Sequence, residues 1–351
     1  MESTNLDRQY SIAIPGLFVI VRLIMVISLP LEGLRAYGDF WNFYYLAGLG
    51  WPFFDHWVEF PPLFPFLSRG IYLMVGGREH AYIYLSVLLF SVVQAGSLYL
   101  FQRIAALIWG SKEGFQRTVV YAMLTVGLFY GWSYFDPLGV FLGLLGLFLA
   151  FEQAQIAAGL ALGLGGLVKW FPVLFLPAVC KWMGKKGAVR TLISAVLLIG
   201  LVWGVLYLSS PDFTEASLRS QGSKGSWETV WAIIDGNFQT GNFTPDADRM
   251  DPETISISTG NPAVISPWIT LLFFGGAGGF LFWRASVRTE EQLIAFSGLT
   301  VVMFFLWSPG YSPQWVLLLI PLILLGLEQK RSMLVGLVVL LINLLEWPVL
   351  L

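Results

Sequence analysis

Residues 181–208 read KWMGKKGAVRTLISAVLLIGLVWGVLYL, a basic cluster followed by an apolar run without a charge from Thr191 to Leu208. The hydrocarbon core of a bilayer is about 30 Å thick and takes roughly 17–25 apolar helical residues to cross. Lys and Arg gather on the cytoplasmic flank of such helices. This one stretch therefore predicts a spanning helix over 190–208 that starts on the inside. The rest of the chain suits the same solvent. Of its 351 residues, 56% are hydrophobic and 12% charged, about half the charged share of an average soluble chain. Mean hydropathy is +0.72. So few charges cannot clothe a soluble globule of this size. A net charge of −2 leaves no basic footprint for nucleic acid. Cys180 is the single cysteine, which excludes an internal disulfide and a Cys-based metal knuckle. The class that remains is an all-α polytopic membrane protein.

Outward from that helix, apolar runs near 12–30, 82–108, 118–133, 137–151, 155–168, 170–182, 265–283, 292–307, 314–327 and 332–350 bring the expected spans to about eleven. Several are short, and those around Asp136 and Lys169 read as broken or tilted helices. The first run has no clean small-residue cleavage site and reads as span one rather than a signal peptide. With the N-terminus inside, twelve of the twenty basic residues fall in short inner loops; seven are spread over much longer outer ones, and Arg22 lies within the first span. This predicts a multi-pass protein of the plasma (inner) membrane, with a cytoplasmic N-terminus and an outer C-terminus. Three parts follow: a transmembrane module over 1–208, a polar outer loop over 209–264 and C-terminal helices over 265–351. Short inner loops leave the outer face for chemistry. The two halves do not repeat, which weighs against a transporter built on inverted repeats.

The first outer loop, about 31–80, is rich in aromatic residues, Gly and Pro. Trp41, Tyr44, Tyr45 and Leu49 recur at helical spacing and predict an amphipathic helix in the interface. Asp39 opens it, either as an N-cap favoured by the helix dipole or as a carboxylate base at the membrane surface. The two roles are compatible. Residues 51–67 follow as WPFFDHWVEFPPLFPFL. Pro61, Pro62 and Pro65 argue against an ordinary helix interior, so the stretch is expected to re-enter or skim the membrane with its free carbonyls facing protein or a wet cavity. Asp55, His56 and Glu59 match no standard ligand spacing, and no metal is expected there.

Two later charges sit at outer tips between apolar runs, Asp136 in YFDPLG and Lys169 in LVKWFP. An ionisable group at such depth is costly unless paired or wet, and is a functional candidate by default. The plainer readings are a cap before Pro137 and a snorkelling lysine. Gly139/Gly143 and Gly159/Gly163 are GxxxG pairs, whose ordinary meaning is close helix packing. Residues 218–231 read LRSQGSKGSWETVW. Arg219, Lys224, Gln221, Trp227 and Trp231 would suit a phosphate and a sugar ring, or a solvated loop with aromatic interface anchors. Asn242-Phe243-Thr244 fits a glycosylation sequon, a frequent accidental match.

Taken in order, these pieces resemble the GT-C superfamily of membrane glycosyltransferases, especially its polyprenol-phosphate-mannose-dependent mannosyltransferases. The resemblance is carried by Gly38-Asp39-Phe40 with Tyr44 and Ala47, then by Glu59-Phe-Pro-Pro-Leu-Phe-Pro-Phe66 and Phe135-Asp136-Pro137. Lys169-Trp-Phe-Pro-Val-Leu-Phe-Leu-Pro177, the stretch from Arg219 to Trp231, and Ser308-Pro-Gly-Tyr-Ser-Pro-Gln-Trp315 complete it. It covers most of the chain. Relatives often carry a longer C-terminal part, and some place an aspartate pair or a Glu after the first carboxylate, so Asp39, Asp55 and Glu59 compete for the leading role.

The resemblance implies a seven-span module with two interface helices in the first outer loop. It also implies transfer of a sugar, a hexose such as mannose, from a polyprenyl phosphate to a lipid or glycan hydroxyl, with inversion. A phosphodiester already leaves well, so such a reaction needs a carboxylate for the acceptor's proton and cations for the departing phosphate. On this reading Asp39 and Glu59 are the catalytic candidates. Lys169 as a point charge and Arg219 as a fork would hold the phosphate. Asp136, Tyr44, Gln221, Trp227, Tyr311 and Gln314 would face substrate. No cofactor, metal or nucleic acid is expected; the partners are the lipid-linked donor, the acceptor and membrane lipids. The competing reading is a polytopic lipid or solute transporter or flippase, which ionisable groups at mid-depth would favour, and here only Arg22 qualifies. A membrane acyltransferase would want an intramembrane His, and His56 and His80 lie outside the apolar runs.

Overall fold

The computed structural model describes residues 2–36, 39–238, 243, 247–256 and 260–350. Tyr37, Gly38 and the ends of the Asn242–Thr244 sequon lie outside the described residues. Among the described residues the chain is all helical and has no strand. The first half runs α1 (Glu2–Ile27), α2 (Leu31–Ala36), α3 (Phe40–Leu49), α4 (Leu63–Met74), α5 (Glu79–Trp109), α6 (Ser111–Val126), α7 (Tyr130–Ser133), α8 (Asp136–Phe151) and α9 (Gln155–Val168). A 3-10 turn over Phe171–Phe175 leads into α10 (Leu176–Trp182), followed by α11 (Gly184–Ser209), α12 (Pro211–Ser220) and α13 (Val230–Asp235). The chain closes with α14 (Pro267–Arg284), α15 (Glu290–Trp307), α16 (Val316–Gly326) and α17 (Gln329–Leu344).

Three of these, α5, α11 and α15, are long and apolar enough to cross a bilayer. The apolar parts of α1, α8, α9, α10 and α16 are shorter. A membrane is also written on the outside of the bundle. Along α11, Leu197, Leu201 and Leu208 are 66–86% exposed, and on α14 Trp268, Leu272 and Phe273 are 70–78% exposed. Contiguous apolar surface of this kind needs lipid or protein to cover it, so the chain is membrane-embedded.

Glycines set how closely the helices meet. Helix α9 packs between α8 and α11, and a methyl group at Gly159 would overlap the Ser194 hydroxyl and the Thr191 carbonyl of α11. At Gly163 it would lie 3.1 Å from the Ala195 backbone. At Gly143 it would lie 2.8 Å from the Phe175 ring, whereas at Gly139 there is ordinary room. Three of the four expected GxxxG positions are therefore close-packing points.

One local expectation is corrected. The run 118–133 is not one helix: α6 ends at Val126 and the chain restarts as α7. The cause is Arg22, buried in α1, whose guanidinium donates to the carbonyls of Thr125, Val126 (3.2 Å) and Gly131 (2.9 Å) and to Gln94 Oε1. It satisfies end carbonyls that a terminating helix leaves open, inside the bundle where Arg22 is fully buried. In the proline-rich stretch no proline stands in a helix interior, as the sequence requires: Pro61 and Pro62 precede α4 and Pro65 lies in its first turn, where a missing N–H group has no partner to lose.

Candidate functional site

At one end of the bundle the two long loops, the α9–α10 junction and the turn before α16 enclose a cavity of about 1120 Å³. Asp39, Glu59, Lys169, Gln221, Trp227 and Gln314, all expected site residues, line it. They come from segments up to 275 residues apart, counting Asp39 to Gln314.

Asp39 precedes α3, and its side chain makes no capping hydrogen bond. The carboxyl is not spent on the helix. Burial, with the Glu59 charge adding to it, pushes Asp39 up to about 6 against the pull of Lys224 and Lys169. A carboxyl with that affinity exchanges its proton near neutral pH, as a general base must. Along α3, Phe40, Phe43, Leu46 and Ala47 are buried while Trp41 and Tyr45 are half exposed, so the helix is two-sided.

Glu59 behaves differently. Arg249 Nη2 donates to its Oε2 at 2.6 Å and Lys224 Nζ stands 3.7 Å from Oε1. Burial raises its proton affinity, but the two cations outweigh that and hold the carboxyl below its ordinary range. Glu59 thus stays ionised and saturated with donors, an anchor for cations more than a proton acceptor. Lys169 ends α9, and its ammonium donates to Asp136 Oδ1 at 2.6 Å. The rings of Phe135, Phe171 and Trp315 surround it at 5.1, 5.2 and 5.9 Å. Asp136 is 4% exposed, and its Oδ2 has no hydrogen-bond partner. It acts on the cavity through Lys169.

Gln221 Oε1 accepts from Trp170 Nε1. Trp227 is clamped against the 308–312 turn: its N–H donates to Pro309 O at 3.2 Å, and its carbonyl accepts from Tyr311 N at 3.1 Å. A side chain at Gly310 would overlap the Trp227 ring, so only glycine lets these strips meet. Tyr311 packs beside the cavity on Phe305 and Trp315 and accepts from Asn343 at 3.3 Å.

Five expected residues do not line the cavity: Asp136 and Tyr311 stand behind its wall, held as described above, and Arg219, Tyr44 and Asp55 are engaged elsewhere. Arg219 does not line the cavity; it pairs with Glu215 one helical turn back on α12 and is 69% exposed. Tyr44 donates to Gly77 O at 2.7 Å and packs on Tyr72 and Tyr82, fastening α3 to the turn after α4. Asp55 Oδ2 accepts from Trp51 N at 2.6 Å and closes a turn. His56 is buried, its proton affinity pushed down to about 4 by burial and by Arg249.

Lys224, read from the sequence together with Arg219, and two side chains not singled out there, Arg249 and Glu228, matter here as well. Lys224 lines the cavity in the run Ser220-Gln-Gly-Ser-Lys-Gly-Ser226. Arg249 covers Glu59 and lies over the Trp57 ring at 4.1 Å. Glu228 lines the wall with a backbone φ of +52°. Lys224 was legible as one of the two cations of the 218–231 stretch; Arg249 and Glu228 are placed by contacts distant in sequence. No family model, curated protein or solved structure matches this chain.

Proposed function

We propose that this chain is an integral-membrane glycosyltransferase that moves a sugar from a polyprenyl phosphate to a hydroxyl of a lipid or glycan. The observation that carries the reading is one cavity between the long loops, where a carboxyl that caps no helix and has a raised proton affinity shares its field with two lysines. In this reaction Asp39 takes the acceptor's proton as the hydroxyl oxygen bonds to the anomeric carbon. The carbon–oxygen bond to phosphate breaks on the opposite side, and the phosphate leaves with the bond's electron pair. Lys169 and Lys224 meet the growing negative charge, which is where fixed cations speed a reaction. Of the two cations in the 218–231 stretch, Lys224 rather than Arg219 takes the phosphate-holding part. Glu59, Arg249 and Asp136 keep those cations in position.

The same proposal keeps a multi-span topology of about eleven crossings, with the N-terminus cytoplasmic and the cavity on the outer face, on the strength of the basic residues flanking α6, α11 and α17. Labelling of a Ser223→Cys variant from outside intact cells tests that side. The activity is tested by incubating purified protein with labelled polyprenyl-phosphate sugars and a membrane lipid extract. A new labelled product, absent with Asp39→Asn, is the expected result; no product from any donor rejects the reading.

A further inference from the structure

Glu228 is a charged residue of the cavity wall that the transfer chemistry does not use. Glu228 holds a φ of +52°, left-handed backbone that glycine adopts freely and that Asn and Asp tolerate better than Glu. The neighbours force it there. Trp227 N donates to Pro309 O at 3.2 Å, Tyr311 N to Trp227 O at 3.1 Å, and the Thr229 hydroxyl to Pro309 O at 2.9 Å. Strain held in place by its surroundings clusters at ligand clamps and active sites.

The carboxyl presented in this way is also incomplete. Glu228 lines the cavity, yet its Oε2 is buried with no hydrogen-bond partner. Asn343 Oδ1 is a second buried oxygen without a partner, on a side chain whose Nδ2 donates to Tyr311. The Glu228 charge acts on the Tyr311 hydroxyl, to which Asn343 Nδ2 donates, so both acceptors border one neighbourhood. Buried acceptors left unpaired are costly, and a ligand rich in O–H donors would repair them. Trp227 and Trp231, on either side of Glu228 in the chain, line the same cavity. Acceptors beside an aromatic face suit a polyhydroxylated ring, whose C–H face packs on indole while its hydroxyls donate at the edge.

We propose that Glu228 binds hydroxyl groups of a polyhydroxylated ring, the acceptor sugar, and orients that ring against Trp227 and Trp231. The word acceptor rests on the transfer reading above; the binding of the ring does not. Burial, with Glu346 adding to it, pushes the Glu228 carboxyl up to about 7, so near neutral pH it accepts or donates as the ring requires. The role is distinct from that of Asp39, which sits with Lys169 and Lys224.

The test is a direct binding titration, read by tryptophan fluorescence, on the full chain in lipid nanodiscs with hexyl mannoside and, separately, hexanol. Glu228→Gly removes the carboxyl and relieves the strained backbone, so its unfolding temperature should not fall. Its Kd for hexyl mannoside should rise about tenfold, the loss of one charge-assisted hydrogen bond, with hexanol unaffected. Glu228→Asn tolerates the left-handed backbone and keeps an oxygen acceptor, and should restore most of the affinity. An unchanged Kd in Glu228→Gly, or an equal loss for hexanol, overturns the proposal. Product formation is scored in a separate assay. Glu228-dependent ring binding without any transfer would reject the transferase reading alone, and transfer with Glu228-independent binding would reject this one alone.

Discussion

Lys169 and Asp136 form a 2.6 Å ion pair at the ends of two adjacent helices, closing α9 and opening α8. The pair is 15% and 4% exposed, and one oxygen of Asp136 has no partner. Both helix ends carry a polar group that the membrane would otherwise reject, and each makes the other tolerable. The pair is therefore structural and electrostatic together, and the two contributions can be separated.

Lys169→Met should destabilise the protein by about 3–5 kcal/mol, because it leaves a buried carboxylate alone. Adding Asp136→Asn should recover most of that loss, since a neutral amide needs no counter-charge. Thermal unfolding of the two variants and the double variant measures the coupling. Under the transfer reading the double variant stays impaired for donor use although its stability returns. A double variant as unstable as Lys169→Met would show that the pair's charge is not what matters.

Asp39 offers a pH signature. As a base it must be unprotonated, so turnover should fall as pH drops through about 6, its raised proton affinity. Loss of a general base lowers rate by about 10²–10⁴-fold. Because the side chain makes no cap bond, Asp39→Asn should fold normally and lose turnover by that factor. The sign for stability is the reverse. The folded carboxyl binds its proton more tightly than the unfolded one, near 4, so its contribution is fully present below about pH 4 and lost as pH rises through about 6. Denaturation curves from pH 4 to 7 should be flatter in Asp39→Asn than in the parent.

Arg22 makes a sharper case for geometry over charge. Its fork reaches Gln94 and the carbonyls of Thr125, Val126 and Gly131, with Phe18 4.4 Å from the guanidinium. Lysine keeps the charge but has no planar fork. Arg22→Lys should lower stability by about 1–3 kcal/mol through carbonyls left unpaired. Hydrogen exchange should quicken over residues 125–134, where α6 stops and α7 starts. Unchanged protection there would deny Arg22 its capping role.

What was legible in the sequence and what was not divides along one line. The helices were legible because an apolar run carries its own instruction, as 191–208 does. Features decided by distant contacts were not. Nothing near residues 118–133 announces that an arginine a hundred residues upstream will end the helix. Pro62 and Pro65 forbid a helix interior but fit a helix start, and only the position of the start distinguishes the two. Arg219 and Lys224 are equally cationic five residues apart; the register of α12 turns the first toward Glu215, while the loop after it brings the second to Glu59, 165 positions earlier. Likewise Arg249 reaches Glu59 across 190 residues.

Gly159 and Gly139 give a paired test of the packing. A methyl at Gly159 would meet the backbone carbonyl of Thr191 and the Ser194 hydroxyl, while at Gly139 the nearest atom is Lys169 Cβ at 3.8 Å. Overpacking of a tight site costs about 1–3 kcal/mol, sometimes more. Gly159→Ala should reach that range in thermal unfolding and Gly139→Ala should stay near the parent. Equal effects would mean that the α9–α11 approach is looser than its glycine implies.

The last test sets the two cations of the second loop against each other. Lys224 lines the cavity at 17% side-chain exposure, facing Glu59 and lying over Trp227 and Phe243 at 5.7 and 4.8 Å. Arg219 is exposed and spent on an i,i+4 pair with Glu215, an interaction worth about 0.3–0.5 kcal/mol at a helix surface. A phosphate leaving group must be met by a cation inside the cavity, since a charge in open water is screened. Lys224→Ala should therefore raise the donor KM and lower turnover, with acceptor KM little changed. Arg219→Ala should leave both near the parent and stability within about 0.5 kcal/mol. The inverse pattern, with Arg219 needed for the donor and Lys224 dispensable, would move the phosphate out of this cavity and toward the exposed face of α12. It would then take Lys169 and Asp39 out of reach of the same reacting bond.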